Sequence, residues 1–322
     1  MTRKSVGQLG FEDAVVRRRA GERVDHLARI EGLLDWSRFD RLMDGFYRAR
    51  RGEPAYPPLV MLKTLLLQRW YSLSDPAMEE ALSDRLSFRR FVGLSLSDPT
   101  PDHTTIHRFR DRLQRKGLLD RLMAELGRQL DGHGVVLRQG TLIDASLIDS
   151  AARRPTMAEG KTSPTDPEAR FGTNNERRRF VFGYKLHVAV DGGSGLVRGL
   201  RLSPANRQEV DFAEALVQGD EAAVYADRGY DAERLHAHLA GLGIANGVMR
   251  RARRGKPISE AERARNRRLI DKRRPVEKLF GTLKRSYRLS RMPHFSQSRN
   301  LAALTLACFA FNLRRLDALI TP

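Results

Sequence analysis

The chain has 322 residues, 41% of them hydrophobic, enough for one large core or two modest ones, and a net charge of +19 that points to a polyanion, nucleic acid ahead of an anionic membrane surface. Its single cysteine, Cys308, excludes disulfide frameworks and zinc ribbons. No run of about 18 apolar residues offers a membrane span, and Met-Thr-Arg-Lys-Ser-Val-Gly at the start lacks the apolar core of a signal peptide, so a cytoplasmic protein is expected.

Residues 1 to about 132 read as helical. Pro57-Pro58, followed by Leu59, Leu62, Leu65, Leu66 and Trp70, sets an apolar stripe at helical spacing. Asp75-Pro76 reads as an N-cap with proline at the first helical position, opening a helix over 77–91. A loop at 97–102 hands over to a helix over 103–116, and Gly117 separates that helix from another over 118–130. An arginine-rich helix among short ones suits a helix-turn-helix-like reader with Arg108, Arg110 and Arg112 on DNA. A helical scaffold with a solvated charged face fits the pattern equally well.

The period changes after Gly140. Thr-Leu-Ile-Asp144-Ala is a short apolar run, 182–191 alternates as a strand, Asp191-Gly192-Gly193 turns it, and 196–202 continues as a hairpin partner. A helix is expected over 211–218, a strand over 222–227 that ends in Asp227, a helix over 231–242 and a fifth strand over 244–249. That order predicts an α/β domain over 133–322, a mixed five-stranded sheet flanked by helices, preceded by the all-α region 1–132. Residues 151–179 are polar and turn-rich and are expected to form a flexible loop. Ser259-x-x-Glu262 reads as the capping box of a helix running to about Lys272. Pro275 either kinks that helix or stands at the first position of a new one. The apolar run 301–316 is expected as a core helix on the sheet.

Three carboxylates stand out. Asp144 and Asp227 each close an apolar strand, where a charge is costly unless it is paired or holds a metal; each taken alone is ordinarily a turn cap. Glu277 lies in the most basic stretch of the chain, residues 245–291, where 17 Lys and Arg face four acids, a net +13. A carboxylate there is useful if it holds a cation that itself touches phosphate. Arg273, Glu277 and Lys284 fall near one helical face, and a helix opened by Pro275 would put Glu277 in its first turn, where the dipole favours the ionised form. Oxygen donors with no Cys or His cluster select Mg²⁺ or Mn²⁺ over zinc. The basic run 250–256 suits tracking of a phosphate backbone.

Several stretches together resemble bacterial insertion-sequence transposases of the DDE type. They are Thr-Leu-Ile-Asp144-Ala-Ser, Gly-Tyr184-Lys-Leu-His187, Leu-Ser-Pro-Ala-Asn206, Tyr-Ala-Asp227-Arg-Gly-Tyr-Asp and Arg273-Arg-Pro-Val-Glu277-Lys-Leu-Phe-Gly-Thr-Leu-Lys284, and the resemblance covers nearly the whole chain. It implies an RNase H-like catalytic domain behind a helical DNA-binding region. It also implies Asp144, Asp227 and Glu277 as catalytic triad and ligands of two Mg²⁺ ions, with Mn²⁺ as a substitute. Arg273 and Lys284 would grip phosphates beside the scissile bond, with Lys185, His187, Arg228, Arg274 and Lys278 as further DNA contacts. The partners implied are double-stranded DNA, as element ends and as target, and a second copy of the chain at least on DNA. Many relatives carry Tyr-x-x-Arg-x-x-x-Glu-x-x-x-x-x-x-Lys; here the tyrosine position is Ile270, which cannot hydrogen-bond phosphate. The 49 residues between Asp227 and Glu277 leave no room for a large β insertion. A nuclease that cuts without joining, and a helix-turn-helix repressor with an inert sheet, are the other classes the residues allow.

Overall fold

The computed structural model describes residues 3–8, 10, 13, 26–47, 54–156, 160–174, 179–253 and 257–321. The chain divides into two compact units, residues 1–130 with 305–322, and residues 131–304.

The first unit is helical: α1 (His26–Leu33), α2 (Trp36–Leu42), α3 (Pro58–Tyr71), α4 (Asp75–Asp84), α5 (Leu86–Val92), α6 (His103–Arg115) and α7 (Leu118–Gly132). In α3, Val60, Met61, Leu62, Leu65, Leu66, Leu67 and Trp70 are all buried, so this helix is apolar nearly all round and forms the core of its unit. The helix expected over 77–91 is two helices, because Arg85 adopts an extended conformation (φ −101°, ψ 108°) between α4 and α5. Ser74 caps α4, accepting from the Ala77 amide at 3.3 Å, which leaves the Asp75 carboxylate for other partners. The last helix, α11 (Gln297–Ile320), belongs to this unit from Thr305 onward. There the Trp70 indole donates to the Ala310 carbonyl (2.8 Å), Phe309 stacks edge-on against Phe39, and Arg29 grips Asp317 through two bonds of 2.9 and 3.1 Å. The apolar run expected to cover the sheet thus serves the helical core over that part of its length.

The second unit holds a mixed sheet of β1 (Thr141–Asp149), β2 (Arg170–Asn174), β3 (Arg179–Asp191), β4 (Val197–Pro204), β5 (Ala223–Ala226) and β6 (Ala245–Val248). The order is β2-β3-β1-β5-β6, with β4 also paired to β3; β1, β2 and β4 run antiparallel to β3, while β1–β5 and β5–β6 are parallel. Among the described residues the sheet therefore has six strands rather than five. The extra strand, β2, lies inside the segment expected to be a loop. Phe171 pairs across the ladder with Phe182, ring centroids 5.0 Å apart, and the preceding turn is tied down by Asp166. That carboxylate is fully buried and accepts from the Tyr184 hydroxyl at 2.5 Å and from the Ser150 hydroxyl. Asp166 of this segment is thus satisfied by hydroxyls outside it, so polarity here does not by itself mean a loop without structure. Residues 157–159 and 175–178 of the same segment lie outside the described residues.

One face of the sheet buries Ile143, Ala189, Val224, Ala226 and Val248 against Leu235 and Leu239 of α8 (Glu233–Gly241). The helix expected over 211–218 is replaced by two 3₁₀ turns, Glu209–Phe212 and Glu214–Leu216. Their buried residues, Val210, Ala213 and Leu216, recur every three positions, the period of a 3₁₀ helix and not of an α-helix.

Candidate active site

The strand register brings the two aspartates together. β5 pairs with β1 only at Thr141–Val224, Leu142–Tyr225 and Ile143–Ala226. The next residues on the two parallel strands are Asp144 and Asp227, neighbours on strands that run about 4.8 Å apart. β1 runs on past the end of β5, and its edge on that side carries no strand partner until Asp149, which bridges to Arg291. Asp144 is buried, 7% exposed. Asp227 does cap a turn, its Oδ1 accepting from the Gly229 amide at 2.8 Å.

Glu277 arrives from the other side. The Ser259–Glu262 capping box is formed and opens α9 (Glu260–Ile270). A 3₁₀ turn, Asp271–Arg273, separates it from α10 (Arg274–Gly281). Of the two readings of Pro275, the new helix holds, with Glu277 in its first turn and Val276 and Leu279 buried as the helix packs on β1. Asp144, Asp227 and Glu277 line one cleft of about 1580 Å³, together with Lys185, Arg228, Arg273 and Lys284.

Arg273 is the electrostatic hub of the cleft. Its Nη2 donates to Asp144 Oδ2 at 2.5 Å, while Asp144 Oδ1 accepts from the Ala145 amide at 2.8 Å. Burial works against the guanidinium charge, but Asp144, and at longer range Asp227 and Glu277, more than offset it, and the Arg273 pKa is raised. Burial pushes the Asp144 carboxyl up, Arg273 opposes that, and the neighbouring Asp227 charge adds to it, leaving the group above the usual carboxylate range. Lys284 sits on a single π turn, Thr282–Ser286, closed by the Tyr287 amide on the Thr282 carbonyl at 3.0 Å. Its ammonium donates at 3.0 Å to the Leu147 carbonyl, a group on the open edge of β1.

The other sequence candidates divide. Lys185 faces the cleft and pairs with Glu209 (3.3 Å), and Arg228 is exposed at the rim. Arg274, 80% exposed and paired with Asp271, and the exposed Lys278 do not line the cleft. His187, expected as a DNA contact, is fully buried instead, stacked on Phe212 at 4.2 Å, with Nε2 2.9 Å from the Ser203 hydroxyl. That hydroxyl donates to the Pro204 carbonyl, so the histidine donates from Nε2, and Nδ1 is buried without a partner among the described residues. In the helical unit Arg108 is exposed and Arg112 lies over the Tyr47 ring at 5.2 Å. Arg110 is withdrawn from solvent and locks α3, α4 and α6 together, donating to both Asp75 oxygens and, at 2.9 Å, to Gln68. A guanidinium so engaged is not available to phosphate. Of the basic run 250–256, residues 254–256 lie outside the described residues; Arg250 and the Arg251 amide are held by the buried Asp231, each at 3.0 Å.

His187 carries a pH signature. Burial, then the Lys185 charge, lowers its pKa from 6.5 to about 3. The folded value lies below the unfolded one, so the contribution is complete above pH 6.5 and is lost as pH falls toward 3, at about 1.4 kcal/mol per pH unit. Urea denaturation of the wild type and of His187→Gln should show the variant less stable at pH 7.5 and the gap closing by pH 5.

Glu209 is an acid of the cleft that sequence reading missed, and Asp149, at the end of β1, also lines it. Burial raises its carboxyl, with Lys185 opposing and Asp227 and Asp144 adding to the rise. As for a metal, the donor set is oxygen only, and the crowding of carboxylates calls for positive charge, which fits a hard divalent ion. Among the described residues no three acidic or histidine side chains converge on one point, and Arg273 supplies the countercharge instead.

Two family models match the chain. Residues 16–112 match a transposase domain (DUF772), and residues 137–313, more than half the chain, match the transposase DDE domain. The six-stranded mixed sheet with its flanking helices is accordingly an RNase H-like fold.

Proposed function

The chain belongs to the DDE transposases, and from that premise we propose that it cuts DNA at the ends of its element and joins those ends to target DNA, with Asp144, Asp227 and Glu277 as the catalytic acids. DDE transposases act on DNA and generally use divalent ions. The observation that carries the residue assignment is the register: Ile143 opposite Ala226 sets the two aspartates side by side at an open strand edge, in a cleft that Glu277 also lines.

Asp144, Asp227 and Glu277 would hold the ions, Mg²⁺ or Mn²⁺, which when bound neutralise phosphate charge and lower the pKa of water or of a 3′-hydroxyl. Arg273, the partner of Asp144 in the cleft, would grip the scissile phosphate, where its planar fork matches two phosphate oxygens. Lys284, fixed against the β1 edge, holds the flanking phosphate, and Arg228 tracks the backbone at the rim. Positioning and charge neutralisation are the main demands of phosphoryl transfer, and these side chains supply both. Two ends must be brought together for a complete reaction, which favours a dimer on DNA.

Incubating the protein with Mg²⁺ and a duplex carrying an end of the element tests the reading: a break at the element boundary is expected, and cutting without regard to that boundary would reduce the protein to a general nuclease. A second result bears on the clamp. Binding should weaken with salt at a slope of about −0.9 per phosphate neutralised, and Arg228→Gln should lower that slope by about one unit without changing the fold.

A further inference from the structure

Two further acidic side chains line the cleft, Asp149 and Glu209, and the roles proposed so far leave Glu209 unexplained. Glu209 opens a 3₁₀ turn whose next residue, Val210, is buried in the core beneath the sheet, so its position is fixed. Its Oε1 lies 3.3 Å from Lys185 Nζ, which also donates to the Arg207 carbonyl at 3.0 Å; the side chains are 27% and 12% exposed. Oε2 accepts from no donor among the described residues and is not closed off from solvent. A Cβ placed on Gly229 would stand 3.0 Å from Glu209 Oε2 and 3.0 Å from Asp227 Oδ1, so the two oxygens lie no more than twice that distance apart, over one glycine. Glu209 and Asp227 thus bring two carboxylates together over one glycine, with Lys185 paired to only one of them, an arrangement that like charges resist and that a cation between them would relieve.

We propose that Glu209 is a fourth acidic residue of the active site, sharing a divalent cation with Asp227, and that Lys185 is the resident positive charge which that cation displaces. The inference rests on the metal-dependent reading of the site given above. It pairs each arm of the cleft with its own countercharge, Arg273 on Asp144 and Lys185 on Glu209. Freed from Glu209, Lys185 is placed for a substrate phosphate.

Mn²⁺ binding to the full-length protein without DNA, followed by the electron paramagnetic resonance signal of free Mn²⁺, tests this apart from activity. Glu209→Gln should weaken Mn²⁺ binding about tenfold or more. Lys185→Gln should tighten it several-fold, because a competing positive charge is gone. A structural ion pair predicts the opposite pattern, with Glu209→Gln binding Mn²⁺ like the wild type and Lys185→Gln showing no gain, and either result overturns the proposal. Melting in EDTA checks that Glu209→Gln is folded; if it is not, Lys185→Gln decides, tighter binding supporting the inference and unchanged or weaker binding overturning it. Asp227→Asn separates the two levels. If it loses Mn²⁺ while Glu209→Gln does not, only this inference falls; if neither loses it, the metal-dependent reading falls as well.

Discussion

Alanine at Asp144, Asp227 or Glu277 should reduce strand cleavage about a thousandfold or more, while affinity for element-end DNA stays close to that of the wild type. The two effects separate because the acids do different work from the basic rim. A carboxylate in a cleft that receives phosphate opposes substrate binding, so its loss costs no affinity and even adds a little at low salt. In the proposed mechanism, catalysis needs the same carboxylates to hold cations against the scissile phosphate. The three substitutions differ in their effect on the fold. Asp144 is buried and bonded to Arg273, so Asp144→Ala leaves a half-buried guanidinium without its partner and should also lower stability. Glu277 is exposed in the first turn of its helix, so Glu277→Gln should leave stability nearly unchanged and is the cleanest of the set. Gel-shift and cleavage assays on one preparation read both quantities, and full activity in any of the three would remove that residue from the site.

The largest expected loss of stability lies away from the chemistry. Asp166→Ala should cost about 2–5 kcal/mol, because it strands two buried hydroxyls, Tyr184 and Ser150, each of which then bears the penalty of an unmade hydrogen bond. Asp166→Asn, which keeps an acceptor in place, should cost less. Tyr184→Phe combined with Asp166→Ala should be far from additive, since one network is broken twice. The same network holds the turn before β2, so limited proteolysis of Asp166→Ala should cut within 160–169 where the wild type resists. Urea midpoints and digestion patterns check both effects.

The parts of this account that sequence made legible are those written in local chemistry. Asp227 stood out because an acid that ends an apolar strand is conspicuous, and Asp144 because it follows an apolar run, although β1 does not close there but continues to Asp149; Pro275 marked a helix start that put Glu277 in a first turn. That the two aspartates are neighbours depends on the pairing of Ile143 with Ala226, a contact between residues more than eighty positions apart that no local pattern encodes. Glu209 was hidden because it fell just ahead of a helix expected over 211–218, whereas a 3₁₀ turn that begins at Glu209 holds the carboxylate near Gly229. The strand β2 was hidden because the pairing of Phe171 with Phe182 lies in a segment dominated by polar residues. The burial of His187 follows from its bond to Ser203 on the partner strand β4 and the Phe212 ring stacked on it, neither visible in the alternation of β3. The run 301–316 announced a core helix but could not say which core, and from Thr305 onward it belongs to the helical unit.

The central claim is that one acidic cleft both cuts and joins DNA, and a strand-transfer assay with pre-cleaved ends tests it most directly. Supplied with Mg²⁺, element ends bearing free 3′-hydroxyls and a circular target, the wild-type protein should join ends to target, and Glu277→Gln or EDTA should abolish the product. Cleavage of intact ends without any joining of pre-cleaved ones, or joining that survives Glu277→Gln, would contradict the account.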